Sequence, residues 1–128
     1  MNASEHAAHR WFDEVWNGRS TAAIHELLAP DAVGHLEGPV PEVVGVEQFI
    51  QVQQGLLNAM PDVRITILKS LANESDVAVF WQAQARGGAI RFRGTTWLRV
   101  VGGRIVEGWD CWDYGALSAK LAERPACA

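Results

Sequence analysis

The chain reads as an α+β fold, helices first and an antiparallel sheet after them, and three observations predict this. Apolar residues up to Met60 recur three and four positions apart, the spacing of amphipathic helices. From Val63 onward they alternate with polar residues, the period of strands with one buried face. Glycine pairs at 87–88 and 102–103 then divide this second half into hairpin-sized strands. At 128 residues the chain is expected to form one domain over 1–128, large enough for a hydrophobic core.

Ser4 is placed to cap a first helix in which Ala8, Trp11, Phe12, Val15 and Trp16 share one face, with Gly18 stopping it. Ser20 caps a second, shorter helix, with Ala23, Ile24, Leu27 and Leu28 inward and Pro30 at its end. Residues 32–37 read as a short strand and 38–42 as a loop, because Pro39 and Pro41 remove backbone donors and fix φ. A third helix over 46–60 presents Phe49, Ile50, Gln53, Leu56, Leu57 and Met60 and stops before Pro61. Strands follow at 63–71, 77–86, 90–101 and 104–114, and a short helix at 115–123 closes the order.

The last hairpin decides where its acids point. A two-residue turn at Gly102-Gly103 pairs Val101 with Arg104 and sets Arg99 against Val106 and Leu98 against Glu107, charge against aliphatic throughout. One extra residue at the turn, a bulge that a left-handed glycine permits, moves the register by one. Arg99 then faces Glu107, Trp97 faces Trp109 and Arg93 faces Asp113 on one side of the sheet. The other side carries Phe92, Gly94, Thr96 and Leu98 opposite Trp112, Asp110, Gly108 and Val106. Aromatic and opposite-charge pairs favour this second register by a few tenths to about 1 kcal/mol each, and a one-residue slip would invert every side chain. Asp110 is therefore expected on the mostly apolar face, beside Thr96. A carboxylate there is costly unless it has a partner or a chemical role.

Composition narrows the function. With 48% apolar and 20% charged residues, the chain has the balance of a folded, soluble protein. No apolar run approaches the ~18 residues of a membrane span. The first residues lack the basic and apolar segments of a secretory signal, so the cytoplasm is the expected compartment. A net charge of −4 argues against nucleic acid, since Arg86, Arg91, Arg93 and Arg99 alternate along strands among acids. Cys111 and Cys127 are too few for a disulfide scaffold or a metal ribbon. His6, His9 and Asp13 share one helix face at metal-like spacing, but without a further ligand they read as its solvated side. There is no Gly-rich phosphate loop, Gly-x-Ser-x-Gly elbow or Cys–His nucleophile pattern, and no metal site is expected.

Short segments spread over nearly the whole chain resemble one family. They are Trp11-Phe12 and Trp16-Asn17-Gly18, Leu28-Ala29-Pro30-Asp31, Gly45-Val46-Glu47-Gln48-Phe49, Met60-Pro61-Asp62, and residues 103–113 of the last strand. In these the chain resembles the SnoaL-like polyketide cyclases of the nuclear transport factor 2-like superfamily. The resemblance implies a cone in which N-terminal helices pack on a curved antiparallel sheet and enclose a pocket. It also implies ring closure by an intramolecular aldol reaction without a cofactor, with the acid/base aspartate at Asp110, second after Glu107-Gly108. Two departures stand out: Thr96 occupies a position where some of these cyclases have His, and Ala119-Lys120-Leu121-Ala122 replaces a Gln-Leu-Gly. The same fold hosts isomerases, dehydratases, epoxide hydrolases and non-enzymes.

Within such a cone, desolvation raises the pKa of Asp110 and makes it a better base near neutral pH. His35, in the short strand near the cone mouth, would orient a substrate carbonyl or share a proton with Asp110. Trp16, Phe49, Leu56, Met60, Phe80, Phe92, Thr96 and Trp112 would line a pocket for a small apolar or aromatic molecule, and Gln82 would supply a hydrogen bond inside. The expected function is proton transfer on an apolar carbonyl compound, Asp110 taking the proton while His35 and Gln82 hold the oxyanion. Two alternatives stay open: a binding module without chemistry, and an epoxide hydrolase or hydratase in which Asp110 activates water. The latter wants a second buried acid or an Arg relay near Asp110, and the sequence offers only Glu37, plus Asp113 on the opposite face. Trp97 and Trp109, paired outward beside Arg93, Arg99 and Glu107, predict a homodimer through the outer sheet face.

Overall fold

The computed structural model describes residues 2–38 and 41–122. Two helices lead, α1 (Ala3–Arg10), which continues as a π-helix over Trp11–Asn17, and α2 (Thr21–Leu27). Strands β1 (Leu28–His35) and β2 (Glu42–Val44), helix α3 (Val46–Ala59), strands β3 (Arg64–Ala72), β4 (Asp76–Ala85), β5 (Ile90–Val101) and β6 (Arg104–Trp112), and helix α4 (Tyr114–Ala122) follow. The strands form one sheet in the order β2-β1-β6-β5-β4-β3. The sheet is mixed rather than wholly antiparallel, because β1 runs parallel to β6. All its other pairings are antiparallel. The helices cover one face, and the core lies between: Ala7, Ala8, Phe12, Val15 and Ile24 meet Val77, Val79, Ala83, Leu98, Val100 and Ile105. No helix among the described residues is long and apolar enough to cross a membrane.

Most elements fall where their sequence periods put them, with instructive shifts at the ends. Asn2, not Ser4, caps α1, its side chain accepting from the Glu5 N–H at 2.9 Å. Ser4 is instead buried inside the helix and donates to the Asn73 carbonyl at 2.8 Å. Ser20 does cap α2, accepting from Ala23 N–H at 3.0 Å. Strand β1 begins four residues before the expected start, at Leu28 rather than Ala32. A bulge between Leu28 and Val33 accommodates Pro30, which has no N–H to give a ladder. The expected 38–42 loop ends in β2, which pairs with β1 through Gly34↔Val43 and His35↔Glu42. Pro39 and Val40, Cys127, and Glu123 at the end of the closing helix lie outside the described residues.

The β5–β6 hairpin combines the two candidate registers. Its turn is the two-residue one, with φ of 59° at Gly102 and 79° at Gly103 and Val101 paired to Arg104. Both glycines take the left-handed values of a tight turn whose twist matches the strands. The extra residue sits further along: the register shifts between Val100↔Ile105 and Arg99↔Glu107, leaving Val106 as the bulge. Ile105 and Val100 thus stay in the core, while Trp97↔Trp109 and Arg99↔Glu107 face outward as expected. The inner pairs are Gly94↔Trp112, Thr96↔Asp110 and Leu98↔Gly108, two residues along from the expected order but on the expected face. Asp113 does not reach Arg93; it caps α4 by accepting from Ala116 N–H at 2.9 Å. Glu107 turns to His35 and Arg99 to Asp76, so their cross-strand neighbourhood is not an ion pair.

Candidate functional site

A cavity of about 240 Å³ opens between the helices and the inner sheet face. The helical layer contributes Trp11, Phe12, Val15 and Trp16 from the π-helix, and Phe49, Val52, Gln53 and Leu56 from α3. The sheet contributes Ile65, Trp81, Ala83, Phe92, Thr96, Asp110 and Trp112, while Glu37, Tyr114 and Leu117 sit near its ends. Among the described residues, no Lys, Arg or His lines it. The π-helix is tied down at its end: the Asn17 carboxamide donates to Ile65 O at 2.8 Å and accepts from Ile65 N–H at 2.7 Å. Gln53, fully buried on α3, donates to the Val15 carbonyl at 2.9 Å, tying α3 to the π-helix. Phe49 packs edge-on to Trp11 and lies against Gly34, where an added Cβ would come within 2.6 Å of the ring.

Asp110 is the acid of this cavity that lies on the inner sheet face. Its Oδ1 accepts from Thr96 Oγ1 at 2.5 Å, and Thr96 Oγ1 accepts from the Trp81 indole N–H at 2.8 Å. The residue is half-buried by accessible surface, yet protein surrounds the carboxylate except where it meets the cavity. Burial pushes its pKa up to about 6, partly offset by the Thr96 hydrogen bond, which favours the charged form. At pH 7 the group is still mostly ionised, and its affinity for a proton is well above that of an ordinary Asp. That combination suits a general base working near neutrality.

Of the residues singled out from the sequence, Asp110, Thr96, Trp16, Phe49, Leu56, Met60, Phe92 and Trp112 line this cavity together. His35, Phe80 and Gln82 do not. On β1, Gly34 turns inward toward Phe49, so His35 turns outward, where Nε2 lies 2.7 Å from Glu107 Oε2 and the ring stacks on Trp109 at 5.4 Å. On β4 the inward set is Val77, Val79, Trp81, Ala83 and Ala85. Phe80 and Gln82 therefore face out, Phe80 between Lys69 and Thr95 and Gln82 accepting from Arg93 Nε at 3.3 Å. The sequence carried this signal: five consecutive odd positions from 77 to 85 are all apolar, whereas the even set contains both glutamines. Trp81, the residue that holds Thr96, was missed for the same reason. Glu37, the acid expected to be buried beside Asp110, lines the cavity but is exposed at its edge, because it lies past the end of β1. Tyr114, whose ring covers Gly38, was unassigned.

The same architecture occurs in known proteins. A proposed SnoaL-like polyketide cyclase from Jannaschia sp. CCS1 superposes with a TM-score of 0.84 over 96% of this chain and 94% of its own, at 17% identity. IdmH of Streptomyces antibioticus, a proposed polyketide cyclase, gives 0.79 at 25% identity over 94% and 99%. A proposed ketosteroid isomerase from Kribbella flavida DSM 17836 gives 0.75 at 24% identity over 98% and 84%. No curated protein matches. The profile of the SnoaL-like polyketide cyclase family matches residues 6–121, nearly the whole chain. This protein therefore belongs to the SnoaL-like polyketide cyclase family, with its nuclear transport factor 2-like fold.

Proposed function

We propose that this protein is a cofactor-independent enzyme that moves a proton on a small apolar or aromatic carbonyl compound, with Asp110 as the base. The observation that carries this is a carboxylate with a raised pKa on the wall of an apolar cavity lined by aromatic rings. Aromatic walls accept a flat ring system. The absence of any cationic lining residue among those described disfavours an anionic ligand, whose charge would meet only Asp110 and Glu37. The volume lies above the ~150 Å³ of an apolar cavity that takes up benzene and below the ~300 Å³ where drug-sized sites begin. One or two fused rings fit that range. Removing a proton from the carbon next to the carbonyl leaves an enolate, the nucleophile of an aldol ring closure or the intermediate of an isomerisation. IdmH and the Kribbella protein carry names from these two reaction types.

The test does not require the natural substrate. One- and two-ring aromatic ketones are incubated with the protein in D₂O, and deuterium incorporation next to the carbonyl is followed by NMR. Exchange that depends on Asp110 supports the reading. Tight binding without exchange in any compound, unchanged by Asp110→Asn, would make the protein a binding module.

A second reading, addition of water to an epoxide or enone, is favoured by one observation: Glu37 lines the same cavity as Asp110. It predicts ¹⁸O from labelled water in the product and its loss in Glu37→Gln. The proposal extends to assembly through the outer sheet face. Trp97 is 51% and Trp109 36% exposed there, too much adjacent aromatic surface to leave in water. Self-association through this face would cover both.

A further inference from the structure

Two hydrogen bonds in series hold Asp110, and the chemistry of the donors settles their direction. The Trp81 indole N–H lies 2.8 Å from Thr96 Oγ1, and an indole nitrogen only donates. Thr96 has one hydroxyl hydrogen, so at 2.5 Å from Asp110 Oδ1 that hydrogen points at the carboxylate. Oδ1 thereby already accepts one charge-assisted hydrogen bond. Oδ2 takes no hydrogen bond from the described residues, yet it is not a buried orphan, so it keeps accessible surface in the cavity.

We infer that Thr96 and Trp81 are positioning residues for Asp110: they commit Oδ1 to accepting a hydrogen bond and leave Oδ2 as the atom that takes the substrate proton. The catalytic half of this statement rests on Asp110 being the base; the hydrogen-bonding half does not. In the step itself, the C–H bond beside the carbonyl breaks, its proton passes to Oδ2, and its electron pair stays on the substrate as the enolate. Oδ1 keeps its bond to Thr96 before and after, so the carboxyl group need not turn to receive or return the proton.

The arrangement follows from one missing side chain. Trp81 on β4 pairs with Gly94 on β5, and an added Cβ at position 94 would come within 2.5 Å of the indole Cζ2. The ring lies across β5 because nothing stands in its way, and its N–H reaches Thr96, two residues further along. Phe92 packs against the indole edge-on at 5.6 Å and Phe12 from the helical side at 6.5 Å, fixing its angle. A donor that is itself hydrogen-bonded is polarised and donates more strongly.

Few other groups act on Asp110. Glu37, two residues past β1, and Tyr114 from α4 are the other titratable groups lining the cavity, and among the described residues no cation faces in. The Thr96 hydroxyl is therefore what offsets burial and keeps the carboxylate ionised near neutral pH.

The full-length protein and its Thr96→Val, Thr96→Ser and Trp81→Phe variants are titrated by ¹³C NMR of the Asp110 carboxyl group, which needs no substrate. Thr96→Val removes the donor at nearly constant shape, and its midpoint should rise by about one pH unit, the scale of a hydrogen bond to a charged group. Trp81→Phe keeps an aromatic side chain but removes the N–H and frees the Thr96 hydroxyl to rotate, so its midpoint should rise by less. Thr96→Ser restores the hydroxyl and should titrate with the parent. If Thr96→Val does not fold, Trp81→Phe carries the comparison. A merely structural role lowers melting temperature without moving the midpoint, and unmoved midpoints in Thr96→Val and Trp81→Phe overturn the inference. Moved midpoints together with an Asp110→Asn variant that exchanges normally would keep the hydrogen-bond chain and overturn its catalytic half.

Discussion

The two faces of one sheet put neighbouring acids of β6 to opposite uses. Glu107 and Asp110 lie three residues apart on the same strand, and the pleat sends one out and the other in. Glu107 is half-exposed, meets His35 at 2.7 Å, and sits in a rim of Arg99, Asp76, Trp97 and Trp109. Asp110 faces aromatic rings, has one hydroxyl for company, and carries a pKa pushed up to about 6. On the outer face, water and counter-charges are at hand, so an acid there is held in a pairing worth about 1 kcal/mol at most. On the inner face the same functional group costs stability, and that cost is what makes it basic. The surroundings of Asp110, rather than its residue type, are thus what raise its affinity for a proton.

The sharpest way to break this comparison is to neutralise each acid in turn. Asp110→Asn keeps volume and removes basicity, and should lower turnover about 10²-fold or more, the usual scale of a lost general base. Glu107→Gln should leave turnover within about 2-fold, because it touches nothing in the cavity. Equal losses in a deuterium-exchange assay would show that the two faces do not differ in the way described.

Stability against pH sharpens it next. Asp110 is raised from 3.8 unfolded to about 6 folded. Between these values the folded chain holds a proton that the unfolded chain has released, so stability falls as pH rises across the window. Above about pH 6 the full cost of the buried charge is present. Asp110→Asn should then be more stable than the parent by about 1–3 kcal/mol at about pH 8, the advantage vanishing below about pH 4. Chemical denaturation at the two pH values measures this. A variant less stable than the parent at the higher pH would mean that the cavity solvates the charge.

A third test adds bulk at the cavity wall. Gly34→Ala would bring a Cβ to 2.6 Å from the Phe49 ring, and should destabilise by about 1–3 kcal/mol while narrowing the cavity. Ligand affinity should fall with it, and unchanged affinity would mean that Phe49 moves aside freely. The smallest effect is expected outside. His35→Ala removes a half-exposed contact to Glu107 and should change stability by less than about 1 kcal/mol and turnover hardly at all. A loss of turnover of about tenfold would return His35 to the chemistry.

Local period was enough to place the helices, the strands of the second half and the inward face of β6, because an amphipathic element states its buried side in its own residues. It was enough, too, to bring Asp110 next to Thr96, since cross-strand pairing follows from face and turn once the charged and aromatic pairs are aligned. It failed at His35 and at Phe80 and Gln82. The β1 segment is too short and too mixed to show a face, and its orientation comes from pairing parallel to β6, a partner more than 70 residues away. On β4, both alternating sets contain a large aromatic residue, and Phe80 masks the cleaner apolar run that includes Trp81.

What the sequence by itself determined, then, is the class of fold, its family and the acid on the inner strand, all of which rest on local pattern and on motifs spread along the chain. Tertiary structure alone decided which rings meet around that acid, that His35 belongs to the outer rim, and that a bulge at Val106 rather than a longer turn sets the register. The physical reason is range. Period and turn chemistry act between neighbours in sequence, whereas a cavity is made by side chains from the π-helix, α3, β4, β5 and β6, and only their packing settles what faces what.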